Sequence, residues 1–378
     1  MKSWNQRNKV NKLKKYPFFT TLLALIFLFH THIVMAIEVD GKYALEQYKQ
    51  YLVEKSEKNI NDRRLFDFLL NSAKAGYDKA QFELGMVYLL GKYKESKDYN
   101  NAFYWLQKSS DNNNSGAQLI LGNLYLNGEG CAVDYEKAYN YFIKSAMRNN
   151  NIAQYYLGLM HLKGQGVAKD VKKSYKWFLK SAENQNADAQ YYLGVMHEKG
   201  DGVEKNIEYA YDWFLKSANQ GNVNATYNLG TLYMEGRGVE RNYIQARNWF
   251  LKSAIKNDAS SSYNLGIIYL NGLDGKVDTI EAANWFQKAS ELGHLNATYN
   301  LGIMYLKGVG VNEDPQKAFK LISNVAQQGN SDAQFTLGLM YYHGKGVGKD
   351  KKAATFWLKK SAEQGNVQAI EILKELKE

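Results

Sequence analysis

Apolar and small residues recur along most of this chain with a period of 36 residues. Leucine–glycine pairs mark the period at Leu84-Gly85, Leu121-Gly122, Leu157-Gly158, Leu193-Gly194, Leu229-Gly230, Leu265-Gly266, Leu301-Gly302 and Leu337-Gly338. The first interval is 37 residues and each of the following six is 36. An Ala or Ser lies five residues before each glycine, and a Tyr or His lies three residues after it. Because these offsets fall on one side of an α-helix, the pattern predicts a first helix in each repeat.

A turn and a second helix are predicted after each first helix. Most of the turns have the form Gly-x-Gly, and an Asp or Asn follows a few residues later. Asp and Asn cap helix N-termini, and Pro315 directly after Asp314 suits the first helical position. The second helix carries an aromatic or apolar anchor in register at Trp105, Tyr141, Trp177, Trp213, Trp249, Trp285, Leu321 and Trp357. Six of the seven tryptophans are therefore interpreted as architectural.

The recurring glycine inside the first helix also carries information about packing. Glycine in a helix interior costs about 1 kcal/mol relative to alanine, so its recurrence predicts a neighbouring helix that approaches closely over the missing side chain. A short helix pair cannot bury its apolar face alone, and such units stack. We therefore expect an all-α fold, a right-handed α-solenoid of helix-turn-helix repeats.

The repeated pattern Ala-x-x-x-Leu-Gly-x-x-Tyr-x-x-Gly-x-Gly-Val-x-x-Asp, followed by Ala-x-x-Trp-Phe-x-Lys-Ser-Ala, resembles the Sel1-like repeat family, which is related to tetratricopeptide repeats. Residues 203–254 match it almost letter for letter, and the resemblance covers eight units over residues 79–364. The turns at 91–98 and 272–275 depart from the pattern, as does Leu321. The resemblance implies first helices that line a concave surface. It also implies adaptor proteins of bacterial envelopes, some of them directed toward host cells.

The ends of the chain are predicted to differ from the repeats. Residues 37–78 are interpreted as an N-terminal helical cap, and residues 365–378 as a C-terminal capping helix in which Lys374 replaces the glycine. Residues 1–36 have a basic start, an apolar centre and a small-residue ending at Ala36, which predicts a secretory signal peptide. The alternative is an uncleaved membrane anchor. We expect export, to the periplasm or to the cell surface and medium.

Charge and candidate chemistry narrow the range of functions. The formal net charge is +10, but residues 1–36 contain six basic and no acidic side chains. Without them the net charge is +4, so nucleic acid is not an expected partner. Cys131 is the single cysteine, which excludes an intramolecular disulfide and a cysteine-based zinc site. His161 and His197 occupy the place of a repeat tyrosine and are expected to pack like one. No cofactor, metal or catalytic site is predicted, and the Gly-x-Gly turns follow helices rather than strands, unlike dinucleotide loops.

Positions that vary between repeats are the candidates for function. On the first helix, the positions two before, one after and five after the glycine form one stripe. The candidate protein-binding residues are Tyr156, Tyr192, Asn228, Asn264, Asn300, Leu159, Val195, Lys163 and Lys199. The tyrosines are proposed anchors, and the asparagines can pair with an extended backbone. The competing interpretation is a solvated helix face without a ligand.

The sequence thus favours an exported bacterial scaffold that binds a protein or peptide through its concave surface. The resemblance further suggests a role in host-cell entry, trafficking or virulence. The membrane is a partner only if the signal stays attached. Two alternatives stay open. One is an envelope hydrolase acting on β-lactams or peptidoglycan, although relatives with such activity carry paired cysteines that this chain lacks. The other is a regulator of a cell-wall enzyme.

Overall fold

The computed structural model describes residues 62–93 and 95–375. These residues form eighteen α-helices and no strand, joined in series as helix pairs, which confirms the predicted all-α solenoid. The predicted signal peptide, its alternative as an anchor, and the first half of the predicted N-terminal cap lie outside the described residues. None of the described helices is long and apolar enough to cross a membrane.

The helices alternate between the two predicted types. A helix before the first repeat, α1, spans Asp62–Lys74. The first helices are α2 (Asp78–Leu90), α4 (Ser115–Asn127), α6 (Asn151–Lys163), α8 (Ala187–Lys199), α10 (Val223–Glu235), α12 (Ala259–Asn271), α14 (Leu295–Lys307) and α16 (Ser331–His343). The second helices are α3 (Tyr99–Asp111), α5 (Tyr135–Ala146), α7 (Val171–Glu183), α9 (Ile207–Asn219), α11 (Tyr243–Ala254), α13 (Thr279–Glu291), α15 (Pro315–Gln327) and α17 (Lys351–Glu363). A last helix, α18, spans Val367–Glu375.

The chain divides into two compact units, with the boundary between Ala117 and Gln118. In the first unit, α2 packs against α1 and α3. In the second unit each helix from α5 to α17 packs against the next along the chain, and α18 packs against α17. The first helices also meet across repeats, since α10 contacts α12 and α12 contacts α14.

Side-chain caps fix where the helices begin. Every second helix starts after an Asp or Asn whose side chain accepts a backbone N–H from the first turn, as predicted: Asp98, Asp134, Asp170, Asn206, Asn242, Asp278, Asp314 and Asp350. Pro315 occupies the first turn of α15. First helices other than α2, which follows Tyr77, are also capped by side chains, for example by Asn186, whose Oδ1 accepts from the Ala189 N–H at 2.8 Å. The sequence analysis did not identify this second set of caps.

The Gly-x-Gly turns end the first helices, as predicted. Gly164 has φ +71 and caps α6 in the left-handed region, and its N–H donates to the Met160 carbonyl. Gly166 also has a positive φ, and a Cβ there would collide with the carbonyl oxygen of Tyr135 in the preceding repeat. The second glycine therefore lets one repeat approach the start of the second helix before it.

The glycine inside each first helix lies against the second helix of the same repeat. A Cβ on Gly194 would lie 2.5 Å from ring carbons of Phe214, and Gly158 and Phe178 repeat the arrangement at 2.6 Å. These phenylalanines are completely buried. The close approach predicted from the glycines is confirmed. The residue that makes it is the one that follows the anchor of the second helix, a phenylalanine in five repeats and Leu106, Ile322 or Leu358 in the other three.

The tryptophans are less central than the sequence suggested. Trp213 is partly buried and packs against the cluster around Phe178 in the preceding repeat, so it joins adjacent repeats. Its outer side is covered by the Lys216 ammonium, 4.2 Å from the ring centroid. The same pairing recurs at Trp249, where the Lys252 ammonium lies at 3.8 Å. The tryptophans remain architectural, but phenylalanine forms the deep core.

Buried polar side chains satisfy backbone groups between helices. The hydroxyl of Ser181 donates to the Asn151 carbonyl at 2.6 Å, joining α7 to the start of α6. The Gln154 amide donates to the Ala146 carbonyl of the preceding repeat at 3.3 Å and accepts from the Asn184 amide at 3.0 Å. Because their polar atoms are paired, these residues are fixed by stacking and are not available to a partner.

Candidate functional site

All nine predicted binding residues lie on first helices of the second unit, from α6 to α14. The 36-residue register places them at equivalent positions on successive helices. We use the name first-helix face for the partly exposed side of α6, α8, α10, α12, α14 and α16. It is formed by six positions relative to the central glycine: six, three and two residues before it, and one, four and five residues after it. These positions follow one another at helical spacing and so lie on one side of the helix.

The predicted anchors Tyr156 and Tyr192 are held against the core. The Tyr156 ring stacks on Phe142, with centroids 4.9 Å apart and planes 6° from parallel. Tyr192 stacks on Phe178 at the same distance. Burial raises the pKa of the Tyr156 phenol to about 12. Each ring therefore covers a core phenylalanine of the preceding repeat, and only the part of the ring that faces away from that phenylalanine is available to a partner.

A second row of aromatic residues lies beside these two and was not identified from the sequence. It occupies the position three before the glycine: Tyr155, Tyr191, Tyr227, Tyr263 and Tyr299. Tyr155 lies between repeats, with its ring centroid 5.9 Å from those of both Phe178 and Tyr192. Its burial raises the phenol pKa. The 36-residue recurrence of tyrosine at this position is the signal that could have revealed the row.

The three asparagines, Asn228, Asn264 and Asn300, are partly exposed and follow the tyrosines of this second row directly in the chain. Within the described part of the chain, their side-chain amides form no hydrogen bond. Other face positions are internally satisfied. The Tyr299 hydroxyl, for example, lies 3.1 Å from the Thr336 hydroxyl on the next first helix. The asparagine row therefore presents donors and acceptors that the fold itself leaves unused.

The other four predicted residues line the same face. Leu159 and Val195 are partly buried against the clusters around Phe178 and Phe214, and they form an apolar floor. Lys163 and Lys199 are exposed at the C-terminal ends of their helices. The structure thus brings all nine residues to one face, with apolar groups in the middle and ammonium groups at one edge.

Asp188 lies at the opposite edge, in the first turn of α8, and was also missed from the sequence. It is one helical turn before Tyr192 on the same side of the helix. The amide of Asn222 donates to its carboxylate at 2.8 Å. The residue is exposed overall, but the surrounding side chains reduce the solvation of its carboxylate and raise its pKa. Asp188 has no Lys, Arg or His within ion-pair distance in the described residues.

The histidines at the repeat tyrosine position are structural. His161 and His197 are buried, and their Nε2 atoms lie 3.3 Å from the hydroxyls of Tyr139 and Tyr175. A tyrosine in the same place makes the same contact, since Tyr211 and Tyr233 join their hydroxyls at 2.9 Å. The expectation of tyrosine-like packing is confirmed. Burial lowers the pKa of both imidazoles, which favours their neutral form.

The described residues were also compared with the requirements of a metal site and of a reactive thiol. No group of three or more His, Cys, Asp or Glu side chains among them is arranged to hold a metal ion. Cys131 is partly buried, its Sγ lies 3.6 Å from the Leu124 carbonyl oxygen, and burial raises the pKa of its thiol. A raised pKa disfavours the thiolate, which is the nucleophilic form.

The comparison with known proteins agrees with this architecture. The family model described as Sel1 repeat matches eight consecutive segments: 78–114, 115–150, 151–186, 187–222, 223–258, 259–294, 295–330 and 331–366. The chain belongs to the Sel1 repeat family. The predicted family is therefore confirmed. Sel1 repeat proteins are in general scaffolds for protein–protein interaction, and folds of this kind are typically non-catalytic.

Two solved structures illustrate the relationship. One is a protective antigen present in uropathogenic Escherichia coli strains, which displays an SLR fold. It is 29% identical, with a TM-score of 0.69, and the match covers 89% of this chain and 79% of that chain. The other is a Sel1 repeat protein from Oxalobacter formigenes, 31% identical with a TM-score of 0.63, for which the match covers 85% of this chain and 95% of that chain. A search of curated proteins gave no significant match.

Proposed function

We propose that this Sel1 repeat protein is an exported bacterial scaffold that binds a protein or peptide partner through the first-helix face. The row formed by Asn228, Asn264 and Asn300 carries the proposal. Each of these amides is partly exposed, and none is used by the described fold. Polar groups that recur for stacking, such as Gln154 and Ser181, are paired with backbone. The side-chain amides of the asparagine row are therefore available to form hydrogen bonds with a partner.

The mixture of groups on this face suits recognition of polypeptide. Tyrosine rings supply rigid contact area, and the floor that includes Leu159 and Val195 is apolar. Amide side chains both donate and accept, so they match the alternating donors and acceptors of a peptide backbone. We therefore place the contact on the first helices.

The proposed location outside the cytoplasm rests on the signal-like sequence of residues 1–36. The likeness to a protective antigen of uropathogenic strains supports a role at the bacterial surface or toward the host, such as entering host cells, trafficking or virulence. Fractionation of the cells into cytoplasm, periplasm, surface and medium tests export, and the mass of the recovered protein tests cleavage of the signal. A protein that still carries Lys2 to Lys15 contradicts cleavage, and retention in the cytoplasm contradicts export.

The structure changes which substitutions test the binding face. Replacing Tyr156 or Tyr192 with alanine removes a ring stacked on the core, so lost binding could reflect lost structure. The triple substitution Asn228→Ala, Asn264→Ala and Asn300→Ala removes only unpaired, partly exposed amides. A matched control is available on second helices, where Asn140, Asn248 and Asn284 are exposed at equivalent positions of three repeats.

The experiment is crosslinking and affinity capture with residues 37–378 as bait, from bacterial envelope extract and host-cell lysate in parallel. We expect a partner that is captured by the wild type and by the Asn140/Asn248/Asn284 control but lost by the Asn228/Asn264/Asn300 variant. Equal capture by all three baits contradicts binding through this face. Saturable turnover of a β-lactam or of peptidoglycan by the purified protein would contradict a non-catalytic scaffold.

A further inference from the structure

The spacing of the asparagine row restricts the conformation of a bound polypeptide. The three amides occupy the same position on α10, α12 and α14, and these first helices contact one another directly. Helices in contact have axes about 8–10 Å apart. Successive amides are therefore separated by about this distance along the face, and a polypeptide that uses all three must present equivalent backbone groups at the same interval.

A polyproline II segment meets this condition. It has about three residues per turn and rises about 3.1 Å per residue, so equivalent backbone groups recur about every 9 Å on one side. A β-strand does not meet it. Two strand residues span only about 7 Å, and three span about 10 Å but turn the backbone to the opposite side, because strand geometry alternates with a period of two.

The surroundings of the asparagines fit such a segment as well. Each amide lies beside a partly exposed tyrosine of the second row, Tyr227, Tyr263 or Tyr299. Aromatic-lined grooves hold polyproline II segments because rings pack against the ridges of this helix. The segment has no internal hydrogen bonds, which leaves its carbonyl oxygens free to accept from the asparagine amides.

Charge distinguishes one end of the face. Asp188 lies one turn from Tyr192, which occupies on α8 the position that Asn228 occupies on α10. The Asn222 amide holds its carboxylate, and no cationic side chain of the described residues pairs with it. The neighbouring tyrosine rings are favourable to a cation. A lysine or arginine of a bound segment lying over Tyr192 has the length to reach this carboxylate.

Resting on the proposed scaffold function, we propose that the first-helix face selects a segment in polyproline II conformation and holds a basic side chain of that segment at Asp188. Asn228, Asn264 and Asn300 contact the backbone, about three residues of the segment per repeat. Tyr227, Tyr263 and Tyr299 of the second row contact the apolar side chains of the segment, and Asp188 fixes the register of the segment.

The probe is a fluorescein-labelled peptide of about twelve residues, corresponding to four polyproline II turns over α8, α10, α12 and α14. It is proline-rich and carries one lysine near each end, so that either chain direction brings a lysine to Asp188. A second peptide has norleucine in place of both lysines. A third has the same length and charge but alternates threonine and valine, which favours a strand. Fluorescence anisotropy with the purified full protein gives the dissociation constants.

We expect the lysine-containing proline peptide to bind at least about tenfold more tightly than the other two. Asp188→Asn, which preserves the contact with Asn222, should weaken the lysine peptide about tenfold and leave the norleucine peptide unchanged. The Asn228/Asn264/Asn300 alanine variant should weaken both proline peptides, and the Asn140/Asn248/Asn284 control should weaken neither. Circular dichroism of each variant confirms its helix content.

Three results would overturn the inference: equal binding of the strand-forming peptide, indifference of the lysine peptide to Asp188→Asn, or no binding of any proline peptide. The scaffold proposal fails separately. If the asparagine variant loses a captured partner while the proline peptides do not bind, the face binds protein in another conformation. If capture is also indifferent to the asparagines, both proposals are wrong.

Discussion

The glycine inside each first helix offers the sharpest test of how the repeats pack. In Gly194→Ala the added Cβ would lie 2.5 Å from both Cδ1 and Cε1 of Phe214. The phenylalanine is completely buried, and Tyr191 packs on it with ring centroids 6.0 Å apart, so the ring has little room to move. Overpacking of this kind costs about 1–3 kcal/mol. An ordinary glycine-to-alanine change inside a helix gains about 1 kcal/mol.

We therefore expect Gly194→Ala to lower the free energy of unfolding by up to about 2 kcal/mol, the overpacking cost less the helix-propensity gain. Urea unfolding followed by far-UV circular dichroism measures it. Gly348→Ala is the matched control, because a Cβ at Gly348 meets nothing within 4 Å, and it should leave the unfolding midpoint unchanged or slightly higher.

A double-mutant cycle links the effect to the ring. Phe214→Ala removes the ring carbons that the added Cβ would meet, whereas a leucine would not, since a Cβ on Gly338 would lie 2.7 Å from Cγ of Leu358 at the equivalent position. In the Phe214→Ala background Gly194→Ala should cost less than in the wild type, which is the sign of direct coupling. If Gly194→Ala instead stabilises the protein as an ordinary helix substitution would, the close approach is not a constraint and the argument is refuted.

Three further predictions concern the repeat framework. The double substitution His161→Tyr and His197→Tyr should reduce the loss of stability that occurs below about pH 6.5. A buried imidazole with a lowered pKa contributes stability above the pKa of the unfolded state, and this contribution is lost as the pH falls through the pKa of the folded state. Urea unfolding at neutral and mildly acidic pH measures the slope. Asn186→Ala should cost about 1 kcal/mol by removing the cap of α8, seen as a lower urea midpoint. Ser181→Ala should cost about 1 kcal/mol by removing the bond to the Asn151 carbonyl, seen in the same assay.

Each of these has its own control. Tyr233 already fills the histidine position in another repeat, so the tyrosine variant should retain wild-type stability at neutral pH, and an unchanged slope at acid pH would contradict the assignment. Asn186→Asp keeps an acceptor and should retain the cap. Ala289 stands at the position of Ser181 in the repeat of α13, so a loss much above about 1 kcal/mol would mean that the hydroxyl does more than pair one carbonyl.

The sequence predicted the framework well because the framework is local. The caps at Asp98 through Asp350 and the left-handed glycine at Gly164 depend on side chains within a few residues, and their recurrence in eight repeats separates them from chance. It was less successful at ranking aromatic residues. Tryptophan and phenylalanine are adjacent in the second helix, and only packing decides that Phe214 enters the core while Trp213 joins the repeats under Lys216.

The candidate site shows the same division. Its nine predicted residues share a face because they share a register, which is a property of the sequence. The pairing of Tyr156 with Phe142 and of Asp188 with Asn222 joins residues that are far apart in the chain. The periodicity of a single helix contains no such distances, so the role of Asp188 could not be inferred from it.

The sequence by itself therefore determined the helix pairs, their period, their caps and the family, because each rests on short-range geometry repeated along the chain. The tertiary structure decided which aromatic side chains are buried and which polar groups remain unused. The amides of Asn228, Asn264 and Asn300 are unused because the neighbouring helices offer them no partner, whereas Gln154 meets the Ala146 carbonyl and is satisfied. Whether a polar side chain is satisfied depends on atoms that only stacking brings within hydrogen-bonding distance.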